Sequence, residues 1–212
     1  MDVVVAGGHG KVGIRLLGLL SDGGHRARGL IRNPDHAREL EELGAEPVLC
    51  DMEALDDISR CCEGADAVVF AAGAGPGSGV ERKRTVDYGG AVKLIDAAKT
   101  NGIDRYVIVS AISVDRPDEW SEQMLPYYEA KRDADARVLE SGLSYTIVRP
   151  GGLTDDAGTG LVTLGTDLER GEVPREDVAA VLLAVLETPS TVGKTFELVS
   201  GDTPIEEAVR GL

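Results

Sequence analysis

The feature that most constrains this chain is the stretch VVVAGGHGKVG at residues 3–13, close to the amino terminus. A run of valines, typical of a buried strand, breaks into glycines, and apolar residues then recur over residues 12–20 at the spacing of an amphipathic helix. A strand, a glycine loop and a helix in this order form a binding site for dinucleotide phosphates, because the helix N-terminus offers unpaired N–H groups to an anion. We therefore predict a dinucleotide site, with a purely structural turn as the alternative.

Two glycine registers fit this loop. Gly8, Gly10 and Gly13 give GxGxxG, whereas Gly7, Gly10 and Gly13 give GxxGxxG. In both registers the loop turns tightly after the strand, and Gly13 allows the helix and the strand to pack closely. The predicted phosphate-binding residues are Gly7, His9, Gly10, Lys11, Val12 and Gly13. For His9, an exposed loop histidine without contact to the phosphates is an equal alternative.

Apolar runs and helical patterns alternate along the rest of the chain. The predicted strands are residues 3–6, 28–31, 47–50, 67–71, 106–110, 146–149 and 195–199. The predicted helices are residues 12–20, 37–43, 55–62, 86–99, 131–140 and 178–186. Strands that are apolar on both faces and alternate with helices indicate an α/β protein with a doubly wound, mostly parallel sheet. We predict a single Rossmann domain over residues 1–212, in which the segment 151–175 is a loop on the substrate side.

Residues that follow the predicted strands indicate which dinucleotide is bound. Arg32 ends the second strand, where an NAD site carries an acid for the ribose hydroxyl, and a guanidinium there fits the 2′-phosphate of NADP. The alternative is a surface arginine. After the third strand, Asp51 is expected to accept from the adenine amino group beside Met52, or else to cap a helix that begins near residue 53. Small residues after the fourth strand allow a cofactor to lie against the backbone, namely Ala71, Ala72 and Gly73.

Composition excludes several classes of partner. The net charge of −15 argues against binding to nucleic acid or to an anionic membrane, and no apolar run has the length of a membrane span. We expect a cytoplasmic protein without a signal peptide. The six lysines among 22 basic residues resemble the composition of proteins from salt-loving organisms, with an ordinary acidic protein as the alternative. The three cysteines and three histidines form no ligand cluster, so we expect no metal site and no disulfide.

Four segments of the sequence resemble a known family: AGGHGKVG, YYEAKRDAD, YTIVRPGGLT and the C-terminal stretch from VPREDVAAVL to GDTPIEEA. They are similar to the atypical short-chain dehydrogenase/reductases, a group related to NmrA-like proteins and biliverdin-IXβ (flavin) reductase. The resemblance implies a Rossmann fold with a short C-terminal lid, the register that begins at Gly7, and NADP as cofactor. It also implies that four residues pass near the nicotinamide, namely Pro150, Gly151, Gly152 and Leu153.

The same resemblance bears on catalysis. Tyr127 and Lys131 have the Tyr-x-x-x-Lys spacing, which puts both side chains on one helical face. In such pairs the lysine holds the nicotinamide ribose and lowers the pKa of the tyrosine, so that the phenol exchanges a proton with the substrate oxygen. Ser110 is a candidate helper, but the position that aligns with the usual serine is Ile112. The usual asparagine is replaced by Asp87. Complete short-chain dehydrogenase catalysis is therefore in doubt, and a packed aromatic is the alternative role of Tyr127.

Three functions remain open at this point. The first is an NADP(H)-dependent oxidoreductase that acts on a small carbonyl, flavin-like or sugar-derived substrate. The second is an NADP-sensing regulator without turnover, like the NmrA-type proteins. A nucleotide-sugar epimerase is the third, although about 60 residues after Pro150 leave little room for a sugar-nucleotide domain. The expected partner is a small-molecule substrate, and a homodimer is compatible with the sequence.

Overall fold

The computed structural model describes residues 1–75 and 77–212, and over these residues the chain forms a nine-stranded sheet and a two-stranded sheet. The strands of the large sheet are β1 (Asp2–Ala6), β2 (Arg26–Ile31), β3 (Glu46–Leu49), β4 (Ala67–Phe70), β5 (Arg105–Val109), β6 (Ser144–Pro150), β8 (Leu161–Gly165), β10 (Lys194–Ser200) and β11 (Thr203–Pro204). Their order is β11-β8-β10-β6-β5-β4-β1-β2-β3, and β8 alone pairs antiparallel with its neighbours among these strands. The predicted mostly parallel α/β fold is confirmed.

Helices cover both faces of the sheet. The helical segments are α1 (Gly13–Asp22), α2 (Ala37–Glu42), α3 (Val80–Arg82), a π-helical segment (Lys83–Gly90), α4 (Ala91–Thr100), α5 (Leu125–Leu139), α6 (Arg175–Glu187) and α7 (Ile205–Arg210). Within the described part of the chain, no helix has the length and apolar character that a membrane crossing needs.

The side chains of β1 show how the two layers form. Val3 and Val5 pack with α1 and α6 in one core cluster, whereas Val4 and Ala6 pack with α4 and α5 in the other. Successive side chains of a strand point to opposite faces, so a run of four apolar residues is what a strand covered on both sides requires.

The strand order reverses next to β1, and this position fixes the binding crevice. From β1 the chain moves through β2 to β3 on one side, and it then returns to place β4 on the other side of β1. In open α/β sheets the ligand lies beyond the carboxyl ends of the strands at such a switch point. Here that crevice lies between the glycine loop after β1 and residues 71–75 after β4.

The helix predicted at residues 55–62 is wrong for most of its length, because only a 3₁₀ turn forms there, at Ser59–Cys62. The Asp57 carboxylate accepts hydrogen bonds from the N–H (2.8 Å) and the hydroxyl (2.6 Å) of Ser59, which favours a turn over a helix. Lys93 donates to the carbonyl of Leu55 at 2.6 Å, so this carbonyl is not available to a helix. The apolar spacing is real, but side-chain hydrogen bonds compete with helix formation here.

The segment 151–175, predicted as a loop, contains regular structure. Besides β8 it holds β7 (Gly152–Thr154) and β9 (Glu172–Pro174), which pair parallel as the small sheet. Strands of three residues are too short to produce a period in the sequence. The C-terminal part predicted as a lid comprises β11 and α7, and β11 extends the large sheet through β8.

Two glycines of α1 should respond oppositely to substitution. A Cβ at Gly13 would lie 2.2 Å from the carbonyl oxygen of Gly7, whereas a Cβ at Gly18 would have its nearest neighbour, a Leu43 methyl group, at 3.8 Å. We expect Gly13→Ala to destabilise the protein by about 1–3 kcal/mol through overpacking. Gly18→Ala should stabilise it by about 0.5–1 kcal/mol through helix propensity. Urea unfolding of both variants measures this, and a neutral Gly13→Ala would contradict the close approach.

Candidate functional site

The glycine loop brings the ends of β1 and β4 into backbone contact. Gly7 has φ = +84°, and a Cβ there would lie 2.7 Å from the Cα of Ala72. The N–H of Gly10 donates to the carbonyl of Gly7 at 2.8 Å, which closes the turn. A Cβ at Gly8 would lie 2.7 Å from the Cα of Gly29 on β2. Neither Gly7 nor Gly8 has space for a side chain. The left-handed conformation of Gly7 favours the GxxGxxG register, which begins at this residue.

The end of β4 forms the opposite wall of the crevice. Ala71 and Ala72 are half-buried, whereas Gly73 is exposed. A Cβ at Gly73 would lie 3.2 Å from Oδ1 of Asp87, and the N–H of Ala74 donates to Oδ2 of Asp87 at 3.1 Å. The π-helical segment thus places a buried carboxylate directly against the residues predicted to face the cofactor. π-helical turns are rare and occur frequently at functional sites.

Arg32 lies at the end of β2 as expected, but it is not alone. Its guanidinium donates to Glu53 at 3.0 Å, and Arg82 donates to the same carboxylate at 3.0 Å. The hydrogen bond from Arg82 is the main reason why the pKa of Glu53 is lowered. Sequence reasoning missed Glu53 and Arg82, because nothing in the sequence pairs residues 29 positions apart. The arrangement gathers two guanidinium groups around one carboxylate at the mouth of the crevice.

Asp51 and Met52 follow β3, and Asp51 adopts the structural role that was the alternative to adenine recognition. Its Oδ1 accepts from the N–H of Glu53 at 2.9 Å and of Ala54 at 3.3 Å, which caps a turn and not a helix. The carbonyl of Met52 accepts from Lys93 at 2.8 Å. Both residues are half-buried beside the crevice, and the adenine contact stays a prediction.

His9 and Lys11 point away from each other out of the glycine loop. His9 stacks on His36 with 3.5 Å between ring centroids, and it lies 2.7 Å from the carboxylate of Glu39. Lys11 bonds to Asp155, which follows β7.

Arg175, the first residue of α6, donates to the second oxygen of Asp155 at 2.8 Å. The bonds from Lys11 and Arg175 lower the pKa of Asp155, with the Lys11 hydrogen bond as the largest cause. The resulting bridge Lys11–Asp155–Arg175 connects the glycine loop to the segment after β7 and to the start of α6.

Tyr127 and Lys131 lie on α5, one turn apart, as the spacing predicts. The ammonium of Lys131 donates to the carbonyl of Val109 at 3.0 Å and lies 3.3 Å from Oδ1 of Asp87. It also lies 5.9 Å from the centroid of the Tyr127 ring. The Lys131 side chain is 5% exposed and that of Asp87 is 2% exposed, so the two form a buried ion pair.

The expected effect on Tyr127 is reversed in this protein. Burial raises the pKa of Tyr127, and the charge of Asp87 raises it further. Lys131 does not lower this pKa as expected, because its ammonium is paired with Asp87 and the charge of Asp87 offsets its own. Tyr127 is therefore a neutral phenol at neutral pH.

A second buried carboxylate lies one turn further along α5. Asp135 is 2% exposed, and Arg149 on β6 donates to its Oδ2 at 3.0 Å. Burial raises the pKa of Asp135, although Arg149 opposes this effect. Ser110, at the end of β5, lies beside Asp135, and its Oγ is buried. Neither the Oγ of Ser110 nor the Oδ1 of Asp135 has a hydrogen-bond partner among the described residues. The spacing from Lys131 to Asp135 repeats that from Tyr127 to Lys131, and this signal was available in the sequence.

The loop after β5 is held in a strained conformation. Ser113 is fully buried and has φ = +60°, which is costly for a residue other than glycine. Its N–H donates to the buried Glu197 on β10 at 3.1 Å, and Glu197 also pairs with Arg116 at 3.0 Å. The indole N–H of Trp120 donates to the carbonyl of Ser113 at 2.9 Å.

Trp120 in turn stacks on Tyr128 with 5.3 Å between ring centroids, and Tyr128 makes an edge contact with Tyr127 at 5.5 Å. This chain of contacts fixes the wall beside Tyr127. Ile112, where the usual serine would stand, is buried and donates its N–H to Pro150 at 2.9 Å.

The residues at the end of β6 lie next to the β5 loop, and their predicted place near the nicotinamide stays a prediction. Pro150 and Gly151 are buried, whereas Gly152 and Leu153 are exposed. A Cβ at Gly151 would lie 2.2 Å from the carbonyl oxygen of Gly171, so this close passage again requires glycine.

The crevice fits a dinucleotide with a nicotinamide. The loop carries no side chain at Gly7, Gly8, Gly10 or Gly13, so its backbone and the N-terminus of α1 can approach the phosphates of a dinucleotide closely. At the opposite end, the buried Oδ1 of Asp87 accepts no well-oriented hydrogen bond from the described residues, and it lies beside the Lys131 ammonium. An acceptor next to a donor suits the two hydroxyl groups of a ribose. A separate groove of about 710 Å³ lies between α1, α2 and α6 and does not include this loop or Lys131.

The sheet, the switch point and the glycine loop together define a Rossmann-type nucleotide-binding protein. Residues 7–189 match the sequence profile of the NAD(P)H-binding family. The chain is 42% identical over 214 residues to a Bacillus subtilis protein named uncharacterized sugar epimerase YhfK, with all of both chains covered. It is 38% identical to the Saccharomyces cerevisiae protein YMR090W, with 100% of this chain and 99% of the yeast protein covered. The chain therefore belongs to the NAD(P)H-binding family, and its cofactor is a nicotinamide dinucleotide.

Solved structures agree with this assignment. A Bacillus halodurans protein named for the NAD-dependent epimerase/dehydratase class superposes with a TM-score of 0.95 at 40% identity, and all of both chains are covered. ChuY from Escherichia coli O157:H7, named an anaerobillin reductase, gives a TM-score of 0.80 at 27% identity over 95% of this chain and 98% of its own. The atypical reductase resemblance seen in the sequence is thereby confirmed.

The buried ion pair makes a testable contribution to stability. Lys131→Met leaves the Asp87 carboxylate buried without its cation, and we expect a loss of about 3–5 kcal/mol in the free energy of unfolding. The double variant Lys131→Met with Asp87→Asn should recover a large part of this loss, because the amide keeps an acceptor for the N–H of Ala74. Urea unfolding of the two variants measures the difference. Equal stability of both would show that the pair is not coupled.

Proposed function

We propose that the protein is an NADP(H)-dependent oxidoreductase that transfers hydride to or from a small carbonyl, flavin-like or sugar-derived substrate. The observation that carries this proposal is the grouping of Tyr127, Lys131 and Asp87 at the carboxyl ends of β4 and β5. A phenol that can donate a proton lies beside a buried lysine and carboxylate, in the crevice where the fold binds its dinucleotide.

The chain's own residues have distinct tasks in such a reaction. The bound cofactor supplies or accepts the hydride. Lys131 would donate to the nicotinamide ribose, and Asp87 would accept from it. Tyr127 gives its phenolic proton to the substrate oxygen. The exposed Gly152 and Leu153 line the space where the substrate enters.

Support for NADP comes from the two arginines at Glu53. Arg32 and Arg82 together carry two positive charges against one negative charge, and this excess suits a 2′-phosphate. Glu53 lies 3.0 Å from both guanidinium groups, and its negative charge opposes the binding of a 2′-phosphate beside them. The preference for NADP thus depends on the release of these guanidinium groups from Glu53.

Cofactor preference provides a direct test. Arg32→Ala should weaken NADPH binding by about tenfold to a hundredfold, the value of a charge-assisted hydrogen bond, and leave NADH binding nearly unchanged. Glu53→Gln should strengthen NADPH binding, because a negative charge next to the phosphate is removed. Calorimetric titration in high salt with both cofactors measures these affinities, and Arg38→Ala, an exposed arginine paired with Glu42, is the matched control. Equal losses for NADH and NADPH in Arg32→Ala would contradict this assignment.

A second candidate function is a sensor that binds NADP(H) without turnover. It is favoured by Ile112, which stands where the usual serine helper would be and whose side chain cannot polarise a carbonyl. The names of two relatives refer to epimerases, and the same crevice would serve such a reaction, which makes it a third candidate.

Turnover separates the enzyme from the sensor. With NADPH and a panel of carbonyls, quinones and flavins, we expect loss of the reduced-nicotinamide absorbance. Tyr127→Phe should lower kcat by about 10²- to 10⁴-fold, the usual contribution of a general acid, with NADPH affinity unchanged. Tight NADPH binding without turnover on any compound would favour the sensor. Full activity of Tyr127→Phe would favour a reaction in which the cofactor needs no proton donor from the protein.

A further inference from the structure

The charge of Lys131 is already occupied within the protein. Its ammonium lies 3.3 Å from Oδ1 of Asp87 and 3.0 Å from the carbonyl oxygen of Val109. With both side chains at most 5% exposed, water cannot solvate either charge, and each depends on the other. The positive charge next to Tyr127 is therefore offset by a negative one at the same depth.

The charged groups around Tyr127 come from every element packed against it. The π-helical segment contributes Asp87, and α5 contributes Lys131 and Asp135. From β6, Arg149 reaches Asp135 at 3.0 Å and is thereby offset as well. Burial raises the pKa of Tyr127, followed by the charges of Asp87 and, more weakly, Asp135. Lys131 and Arg149 are thus each matched by a buried carboxylate.

A phenol in such surroundings is present as the neutral, protonated form and not as the phenolate that would take a proton. A general base at this position would have to be a phenolate, and two nearby carboxylates disfavour that state. A general acid needs only the neutral phenol, which is the state that these surroundings favour. At neutral pH the resting site therefore holds Tyr127 in the protonation state that a general acid needs.

We propose that Asp87 is a positioning residue that neutralises Lys131 and thereby keeps Tyr127 protonated, so that the resting site holds the proton that carbonyl reduction consumes. This inference rests on the proposed oxidoreductase function for its substrate step. In that step the carbonyl carbon of the substrate receives the hydride that the bound cofactor supplies. The C=O π pair moves to the oxygen, the O–H bond of Tyr127 breaks, and the oxygen takes that proton to give an alcohol. Solvent water then returns a proton to Tyr127.

Titration of Tyr127 tests the inference without cofactor and without turnover. Tyrosinate absorbance is followed against pH for the wild-type protein and for Tyr127→Phe, and the difference isolates Tyr127. We expect the wild-type residue to remain protonated through about pH 10, the ordinary value for tyrosine. In Asp87→Asn the charge of Lys131 is no longer offset, and the titration of Tyr127 should move down by about one to two pH units.

Asp96→Asn is the matched control. Asp96 is an exposed residue of α4, and its substitution removes one negative charge from the surface and not from the site. Its titration of Tyr127 should equal that of the wild-type protein. In Asp87→Asn the pH above which kcat for carbonyl reduction declines should move down together with the titration of Tyr127, which a purely structural role of Asp87 would not produce.

Two results would overturn the inference. One is ionisation of Tyr127 in the wild-type protein below about pH 9. This measurement needs no variant of Asp87, so it tests the inference even if Asp87→Asn does not fold. The other is a folded Asp87→Asn protein in which Tyr127 titrates as in the wild type. Failure of NADPH to bind would overturn the proposed function and not this inference. The two failures are distinguishable, because the titration of Tyr127 is carried out without cofactor.

Discussion

The structure depends on the contact between two backbones at the ends of β1 and β4. Gly7 and Ala72 approach so closely that a single added carbon would collide, and Gly13 stands in the same relation to the carbonyl of Gly7. This contact fixes the start of α1 and hence the direction of its N-terminal N–H groups. It also aligns the strand ends beyond which Asp87 and Lys131 lie. The chemistry of the crevice is thus located by a steric constraint that involves no functional side chain.

Around this crevice the protein buries carboxylates with cations. A buried charge without a partner is strongly destabilising, so each pair fixes the relative position of two elements. The pairs join the π-helical segment to α5, α5 to β6, and β10 to the β5 loop, through Asp87–Lys131, Asp135–Arg149 and Glu197–Arg116. The third pair also holds Ser113 in its strained conformation, and the Trp120 stack extends this support to Tyr127. The orientation of Tyr127 is therefore set by several elements and not by its own helix alone.

The sequence predicted the parts of the structure that are coded locally. The alternation of strands and helices, the glycine loop and the Tyr127–Lys131 spacing all depend on residues that are close in the chain, and their periods are visible in it. The helix at residues 55–62 failed because Asp57 and Lys93 hydrogen-bond groups that a helix would use, and a hydrophobic pattern does not record such competition. The short strands in residues 151–175 lack a period altogether.

The partners of the site residues could not be predicted in the same way. Glu53 and Arg82 meet only because the sheet order brings their loops together. The raised pKa of Tyr127 depends on Asp87, whose identity as an acid was visible but whose distance from Lys131 was not. Pairings of this kind are tertiary, and a single sequence carries no signal for them. Asp135 is an exception, because it continues the four-residue spacing of Tyr127 and Lys131.

The bridge Lys11–Asp155–Arg175 has a consequence for which anions the crevice accepts. Asp155 pairs with Lys11 of the glycine loop and with Arg175 at the start of α6. As part of the same chain, this carboxylate is present at an effective concentration that dilution does not lower. The side chains of Lys11 and Asp155 are 63% and 52% exposed, so water weakens this pair. An anion that took Lys11 would have to replace this internal carboxylate, which lowers what it gains from that cation.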